Sequence, residues 1–382
     1  MRFLLGLCRV LFALTFIVSG LLKLIDPVGT GLIVKEYLDF MHLDFLEPAA
    51  VVLGMGLSTL EFTIGICILS GLRIRFMAWV ALILTAFFTL LTLYLMLFNP
   101  ISDCGCFGEA VQLTHAQTFL KNLVLLVLAV LIFLGRKRAT MVATPVLEWT
   151  LIGVSALLAL SVAVRAAATI PQVDFTAYSV GTNLDDLASE NQARYETTFL
   201  YTKDGHTEEF TLDNLPDDSW TYLDSRTVQV GGSTKTAQVD FTLEQMEGPV
   251  MAVTVYNPAA LRPAQLSRID RFCQAVRKQG LEPVLYGPAE DYETADRKSL
   301  MTLNRSNGGA VYFNDGMIVS KWANLDLDHT DPGAVLAEDP DVLVLRNRIR
   351  EQVYFSILIG GALVLAVLVR VLCKLLVRNK RR

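Results

Sequence analysis

The 382-residue chain is 53% hydrophobic and only 19% charged, with a formal net charge of -5. Soluble domains carry about 25% charged residues, so this composition argues against an ordinary soluble protein, and the acidic balance gives no reason to expect nucleic-acid binding. Six cysteines are too few and too scattered for a disulfide framework.

Six apolar runs meet the length of about 20 residues that a spanning helix needs: Phe3–Ile25, Ala49–Gly71, Ile74–Phe98, Thr118–Gly135, Leu147–Ala168 and Val353–Val377. The first run is longer than a signal-peptide core and no small-residue cleavage site follows it, so it reads as a retained span. Cys8, Cys67 and Cys373 lie inside runs, where a free cysteine acts as a small hydrophobe.

Basic residues set the expected orientation. The intervals Gly71–Arg75 and Arg136–Arg138 and the tail Arg378–Arg382 are basic, whereas Asp26–Pro48 is acidic and Asn99–Gln117 has no Lys or Arg. Both termini are therefore expected in the cytoplasm. The Asn99–Gln117 loop and the long polar segment 169–352 then share the outer side of a bacterial inner membrane, with membrane lipid around the spans.

Within the polar segment, Asp174–Leu187 reads as an irregular tether, and Thr197–Tyr201, Glu209–Leu212 and Thr227–Val230 read as short strands. After Gly248-Pro249 the pattern turns β-α-β. Val250–Tyr256 is an apolar strand suited to burial on both faces, Arg262–Gln279 is a helix ending at Gly280, and Pro283–Tyr286 is a second strand. Asn314-Asp315-Gly316 joins Ala310–Phe313 to Met317–Trp322 as a hairpin. This order over Pro249–Trp322 resembles the thioredoxin-like fold. That family's paired cysteines would fall at Tyr256–Pro263 and its cis-proline near Gly308, and neither hallmark is present. Cys273 reads as a packed residue of the helix.

The loop Asn99–Gly108 holds Cys104-Gly105-Cys106-Phe107-Gly108. With one intervening residue, the two cysteines close only a small strained ring, and strain makes a disulfide labile and exchanging. Three readings stay open: a redox-active pair, a metal site completed by His115, and inert cysteines in a turn. Asp103 would raise a neighbouring thiol pKa, against strong activation, and Phe107 would anchor the loop at the interface. The loop, with Ser19–Lys23, Leu60–Gly65 and Thr118–Asn122, resembles the MauE-like branch of the DoxX/DoxD membrane family over about Met1–Lys137. The resemblance implies a four-helix membrane module, support of disulfide formation or maturation of exported proteins, and coupling to a membrane quinone. Continuation into two further spans and a polar domain departs from that family, so methylamine metabolism itself is not carried over.

Glu61, near the middle of the second span, must face the bundle interior. It is a proton carrier or a partner for a quinone head group, or else a protonated carboxyl bonded to a backbone carbonyl or Thr. Lys23 and Arg165 read as interfacial residues, and Asn122 as a cross-helix hydrogen-bonder. The expected architecture is an α-helical membrane protein with an extracytoplasmic α/β thioredoxin-like domain. It divides into a four-helix module (1–137), a cytoplasmic loop with the fifth span (138–168), the outer domain (169–352, core about 249–322) and a last span with a basic tail (353–382). The expected function is thiol–disulfide exchange through Cys104 and Cys106 with Glu61 handling protons, the outer domain recruiting an exported or periplasmic protein. The alternative is a non-enzymatic scaffold whose cysteine-free domain only binds that partner. A transporter is the weakest reading, because no broken-helix pair is visible.

Overall fold

The structure is a computed structural model that describes residues 2–98, 101, 104–111, 113–138, 144–191, 194–203, 206–211, 220–231, 247–288, 292–293, 295 and 297–379. Asn99, Pro100, Ser102, Asp103, Leu212 and the tail residues Lys380, Arg381 and Arg382 lie outside the described residues.

Among the described residues, six helices are long and apolar enough to cross a membrane. They lie in α1 (Arg2–Ile25), α3 (Ala50–Ser70), α4 (Ile74–Phe98), α5 (His115–Gly135), α6 (Pro145–Ala168) and α11 (Pro340–Asn379), and the shorter α2 (Pro27–Phe40) follows α1 directly. Large apolar side chains such as Leu90 (68% exposed), Leu157 (68%) and Val367 (60%) face outward from these helices. A surface of that kind belongs in lipid. Several hydroxyls that the spans bury return to their own backbone, as Thr85 does to Ala81 O (2.7 Å) and Ser58 to Gly54 O (2.7 Å).

α1 and α3 pack backbone against backbone. A Cβ on Gly20 would stand 2.7 Å from Phe62 N, and one on Gly65 would stand 2.9 Å from Ile17 N. Small residues permit this approach, which membrane helices use to gain packing where no hydrophobic drive exists. It sets the Ser19–Lys23 face of α1 directly beside Glu61.

The polar segment holds α7 (Leu184–Asn191), three antiparallel strands β2 (Arg194–Lys203), β3 (His206–Thr211) and β4 (Thr221–Gly231) in the order β3-β2-β4, and a four-stranded sheet. That sheet comprises β5 (Pro249–Thr254), β6 (Val284–Tyr286), β7 (Gly309–Asn314) and β8 (Met317–Trp322) in the order β6-β5-β7-β8. β5 runs parallel to β6 and antiparallel to β7, which is antiparallel to β8. Ile269, Phe272, Cys273 and Val276 of α8 (Pro263–Lys278) cover one face, and Leu300 and Leu303 of α9 (Arg297–Leu303) cover the other. Burial on both faces is the reason β5 reads as one continuous apolar run. Asp315 and Gly316 take positive φ of 47° and 74° in the β7–β8 turn, the conformation that a two-residue hairpin needs.

Two expectations change. Asp174–Leu187 is not an irregular tether: Tyr178, Val180, Leu184 and Leu187 are buried, and Gly181 N donates to Ile318 O (2.6 Å) along β8. Its apolar residues are spaced among polar ones, which hid the packing. The helix that carries the last span also begins before Val353. α11 starts at Pro340, and Leu343 and Asn347 of its first turns pack against β8, Asn347 Nδ2 donating to Val319 O (3.1 Å). The boundary expected at 352/353 thus falls inside one continuous helix.

Candidate functional site

The site is built on the α1–α3 contact. Lys23 Nζ reaches both carboxylate oxygens of Glu61 at 2.9 Å, and both residues are buried. Ser19 Oγ lies 3.1 Å from Glu61 Oε2 and 2.7 Å from the Cys106 carbonyl, so its one proton is shared between them. Lys23 is therefore not an interfacial residue reaching for water. Its ammonium is paired with the Glu61 carboxyl across the α1–α3 contact.

The cysteines close over this pair. Cys106 opens β1 (Cys106–Glu109), and Cys104 is buried while Cys106 is half-buried. Tyr37 of α2 donates its hydroxyl to Cys104 O (3.1 Å), and Ser19 holds the next cysteine's carbonyl as described. Gly105 sits at φ +59° with Ile33 where a Cβ would stand (2.6 Å), so only glycine makes this turn against α2. The Cys104 sulfur lies 3.0 Å from Thr118 Oγ1 at the start of α5. The turn is clamped from α1, α2 and α5.

Charge at the pair is also arranged. A hydrogen bond from the Cys104 thiol lowers the Cys106 pKa to about 6, and the ammonium groups of Lys121 and Lys23 act in the same direction against the opposing cost of burial. Cys104 thus stands between the Thr118 hydroxyl and Cys106. The thiol-raising effect expected from Asp103 concerns a residue outside the described ones, and the net direction at Cys106 is downward. Phe107 does not reach for the interface alone: Lys121 Nζ stands 4.6 Å over its ring. Cys273, by contrast, has its thiol pushed up to about 11 by burial, as a packing residue should, and Cys8 and Cys67 are equally buried. The side chain of Cys373 lies outside the described ones.

Cys104, Cys106, Glu61, Lys23, Lys121 and Asn122 all line one cavity of about 220 Å³. Its remaining wall is mostly apolar, with Phe16, Leu57, Phe87, Phe88 and Leu91 among its residues. Asn122 crosses between helices as expected, donating to Thr92 Oγ1 (3.2 Å) and Phe88 O (3.4 Å) of α4. The sequence thus named both cysteines, Glu61 and Asn122, and the fold brings the four together. It missed Lys23 as a partner, although a lone cation and a lone anion on neighbouring spans are a readable signal. Ser19, Thr118 and Lys121 were visible only as members of the family-like motifs, and Tyr37 carried no signal of its own. His115 is not gathered with the pair: no three His, Cys, Asp or Glu side chains cluster as metal ligands among the described residues.

The polar domain meets the bundle at the same end. Arg305, in the turn between α9 and β7, is buried against Asp26 Oδ2 (2.8 Å) and Glu109 Oε1 (2.7 Å). The two carboxylates raise the Arg305 pKa against the effect of burial, the largest influence on it. Burial pushes Glu109 upward, Asp26 adds to that, and Arg305 opposes it. A second cavity of about 320 Å³ lies behind Arg305 and is lined by Arg165, Asp174, Lys321, Arg350 and Glu351. Arg165, expected as an interfacial residue, faces this polar chamber.

Residues 1–135 match the family model described as methylamine utilisation protein MauE. Residues 195–231 match one described as a domain of unknown function (DUF8463). No curated protein and no solved structure matches the chain. With six apolar helices and a MauE-like membrane module, the chain is a multi-pass integral membrane protein.

Proposed function

We propose that this protein carries out thiol–disulfide exchange for exported proteins, with Cys104 and Cys106 as the exchanging pair and a membrane-soluble carrier such as a quinone as the second substrate. The observation that carries the reading is the single cavity in which the two cysteines, one with its thiol pKa lowered to about 6, share walls with a buried Lys23–Glu61 pair and an apolar lining. When the dithiol closes to a disulfide, two electrons and two protons leave the sulfurs. A quinone accepts both and becomes a quinol. Glu61 and Lys23 stand where those protons pass, and the apolar wall suits a ring-sized head group entering from lipid. The small Cys-Gly-Cys ring then favours passing its oxidation on to a pair of thiols on the exported protein, which become the stable disulfide.

In this reading the distribution of Lys and Arg puts both termini in the cytoplasm of a bacterial inner membrane and the cysteine loop outside. The order β6-β5-β7-β8 with α8 between β5 and β6 supports a thioredoxin-like core in the polar domain. No cysteine stands between β5 and α8, so that domain recruits the exported partner and leaves the chemistry to the membrane module.

The test is labelling of intact cells with an impermeant thiol reagent before and after reduction. Cys104 and Cys106 should label only after reduction, and a Cys104→Ser, Cys106→Ser chain should lose exchange with exported thiols. Full exchange by that double variant would leave the scaffold reading, in which only the recruiting domain matters.

A further inference from the structure

We infer that Arg305 is a positioning residue for the cysteine site: from the polar domain it bridges Asp26 and Glu109 and so holds the Cys104-Gly105-Cys106 turn closed over the cavity. The inference rests on the exchange reading and deepens it, because it makes the polar domain the regulator of the site as well as its recruiter.

The geometry is that of a pin through two levers. Arg305 donates from Nε (3.1 Å) and Nη2 (2.8 Å) to Asp26 Oδ2, and Nη2 also lies 2.7 Å from Glu109 Oε1. Its remaining terminal nitrogen donates to Met301 O (3.0 Å), which ties the guanidinium to α9. Asp26 caps α2 by accepting from Gly29 N (2.9 Å). That helix carries Tyr37 on the Cys104 carbonyl and Ile33 against Gly105. Glu109 ends β1, the strand that Cys106 begins. One side chain therefore holds both segments that flank the cysteine pair, and it comes from 279 residues away in sequence. The space is cut for it: a Cβ on Gly29 would stand 2.8 Å from Arg305 Nη2. Lys298 of α9 adds a second, more exposed tie to Glu36 of α2 (2.7 Å), which directs docking more than it strengthens it.

A buried ion is stable only with its partners in place. The guanidinium thus stays seated while the polar domain is docked. Drawing it out leaves the buried Asp26 and the half-buried Glu109 carboxylates facing each other, and their repulsion parts α2 from β1. A protein that binds the polar domain and shifts α9 would in this way open the turn to its own thiols.

The experiment uses the full chain in reduced membrane vesicles, with an impermeant maleimide added on the side of the polar domain and Cys106→Ser defining the Cys106 signal. In Arg305→Gln, Cys106 should label about tenfold faster at pH 9, where the thiolate dominates in either state. The midpoint of its pH profile should also rise from about 6, as the turn carries Cys106 away from Lys121 and Lys23. Arg305→Lys should fall between parent and Arg305→Gln. An unchanged rate and midpoint in Arg305→Gln overturns the inference, because a merely stabilising residue alters the amount of protein and not the midpoint of what is labelled. Should that variant fail to accumulate, Glu109→Ala leaves Arg305 paired with Asp26 and releases only β1. It is read by the same rate and midpoint: a rise in both supports the inference, and no change in either overturns it. Failure of the exchange reading shows separately, as full exchange by the Cys104→Ser, Cys106→Ser chain.

Discussion

Lys23–Glu61 and Arg305–Asp26–Glu109 are buried ion pairs at the same end of the bundle, and they join very different parts of the chain. The first links two spans that pack through glycines, 38 residues apart. The second links the membrane module to a domain 279 residues away. Lys23 and Glu61 balance each other one to one, and both face a cavity. Arg305 faces two acids, so one carboxylate stays in excess and burial already pushes Glu109 upward. Burial of charge thus serves two purposes in one molecule. A balanced pair inside the bundle lines a cavity, whereas an unbalanced one ties the polar domain to the membrane module.

The contrast is tested most directly at Glu61. Glu61→Leu leaves the Lys23 ammonium buried without a partner and should cost about 3–5 kcal/mol, read as a drop in the thermal unfolding midpoint in detergent. Lys23→Met with Glu61→Leu should recover most of it. A cost under about 1 kcal/mol for the single change would mean that the pair does not hold the α1–α3 contact.

Arg305→Gln should cost less, about 2–3 kcal/mol at pH 8, because Glu109, already pushed upward by burial, can escape by protonation. Its folded pKa then lies above the unfolded one, so the folded state binds more protons and the deficit shrinks as pH falls from 8 to 5. A deficit that grows toward pH 5 would contradict that account. Gly20→Val probes the first pair without touching a charge. Its Cβ meets the Phe62 backbone, so α1 and α3 must part at a cost of about 1–3 kcal/mol. The same change should free Lys23 from Glu61.

Smaller effects refine the contrast. Cys104→Ala removes the thiol donor that lowers the Cys106 pKa, so the labelling midpoint should climb toward the ordinary thiol value of about 8.5. The rate at pH 7 should then fall about tenfold. In the parent, a group held below its unfolded pKa lends stability that is present above that value and is lost as pH falls through about 6. Arg271→Ala, which removes an exposed pair with Asp328, should change stability by less than about 1 kcal/mol, and it serves as the control for a surface ion pair.

Much of this was legible along the chain. Apolar runs located the spans because a bilayer demands about 20 apolar residues whatever the tertiary fold. Alternating apolar strands and the Asn314-Asp315-Gly316 turn announced the sheet because local backbone geometry dictates them. Glu61, Asn122 and the Cys104–Cys106 pair stood out as polar or reactive groups in improbable places. The membrane class, the six apolar helices and several residues that line the cavity were therefore readable before any contact was known. That Lys23 is a counter-ion and not an interfacial cation depended on how closely two glycines let α1 approach α3. That the Cys106 thiol is lowered to about 6 depended on Cys104, Lys121 and Lys23 arriving from three segments. Arg305 had no local signal at all, since its two partners lie in the membrane module and pairing at that separation is set only when the domains dock. Local periodicity records the solvent each segment faces; the electrostatics of a buried site is a sum over groups that only tertiary structure brings within reach of one another.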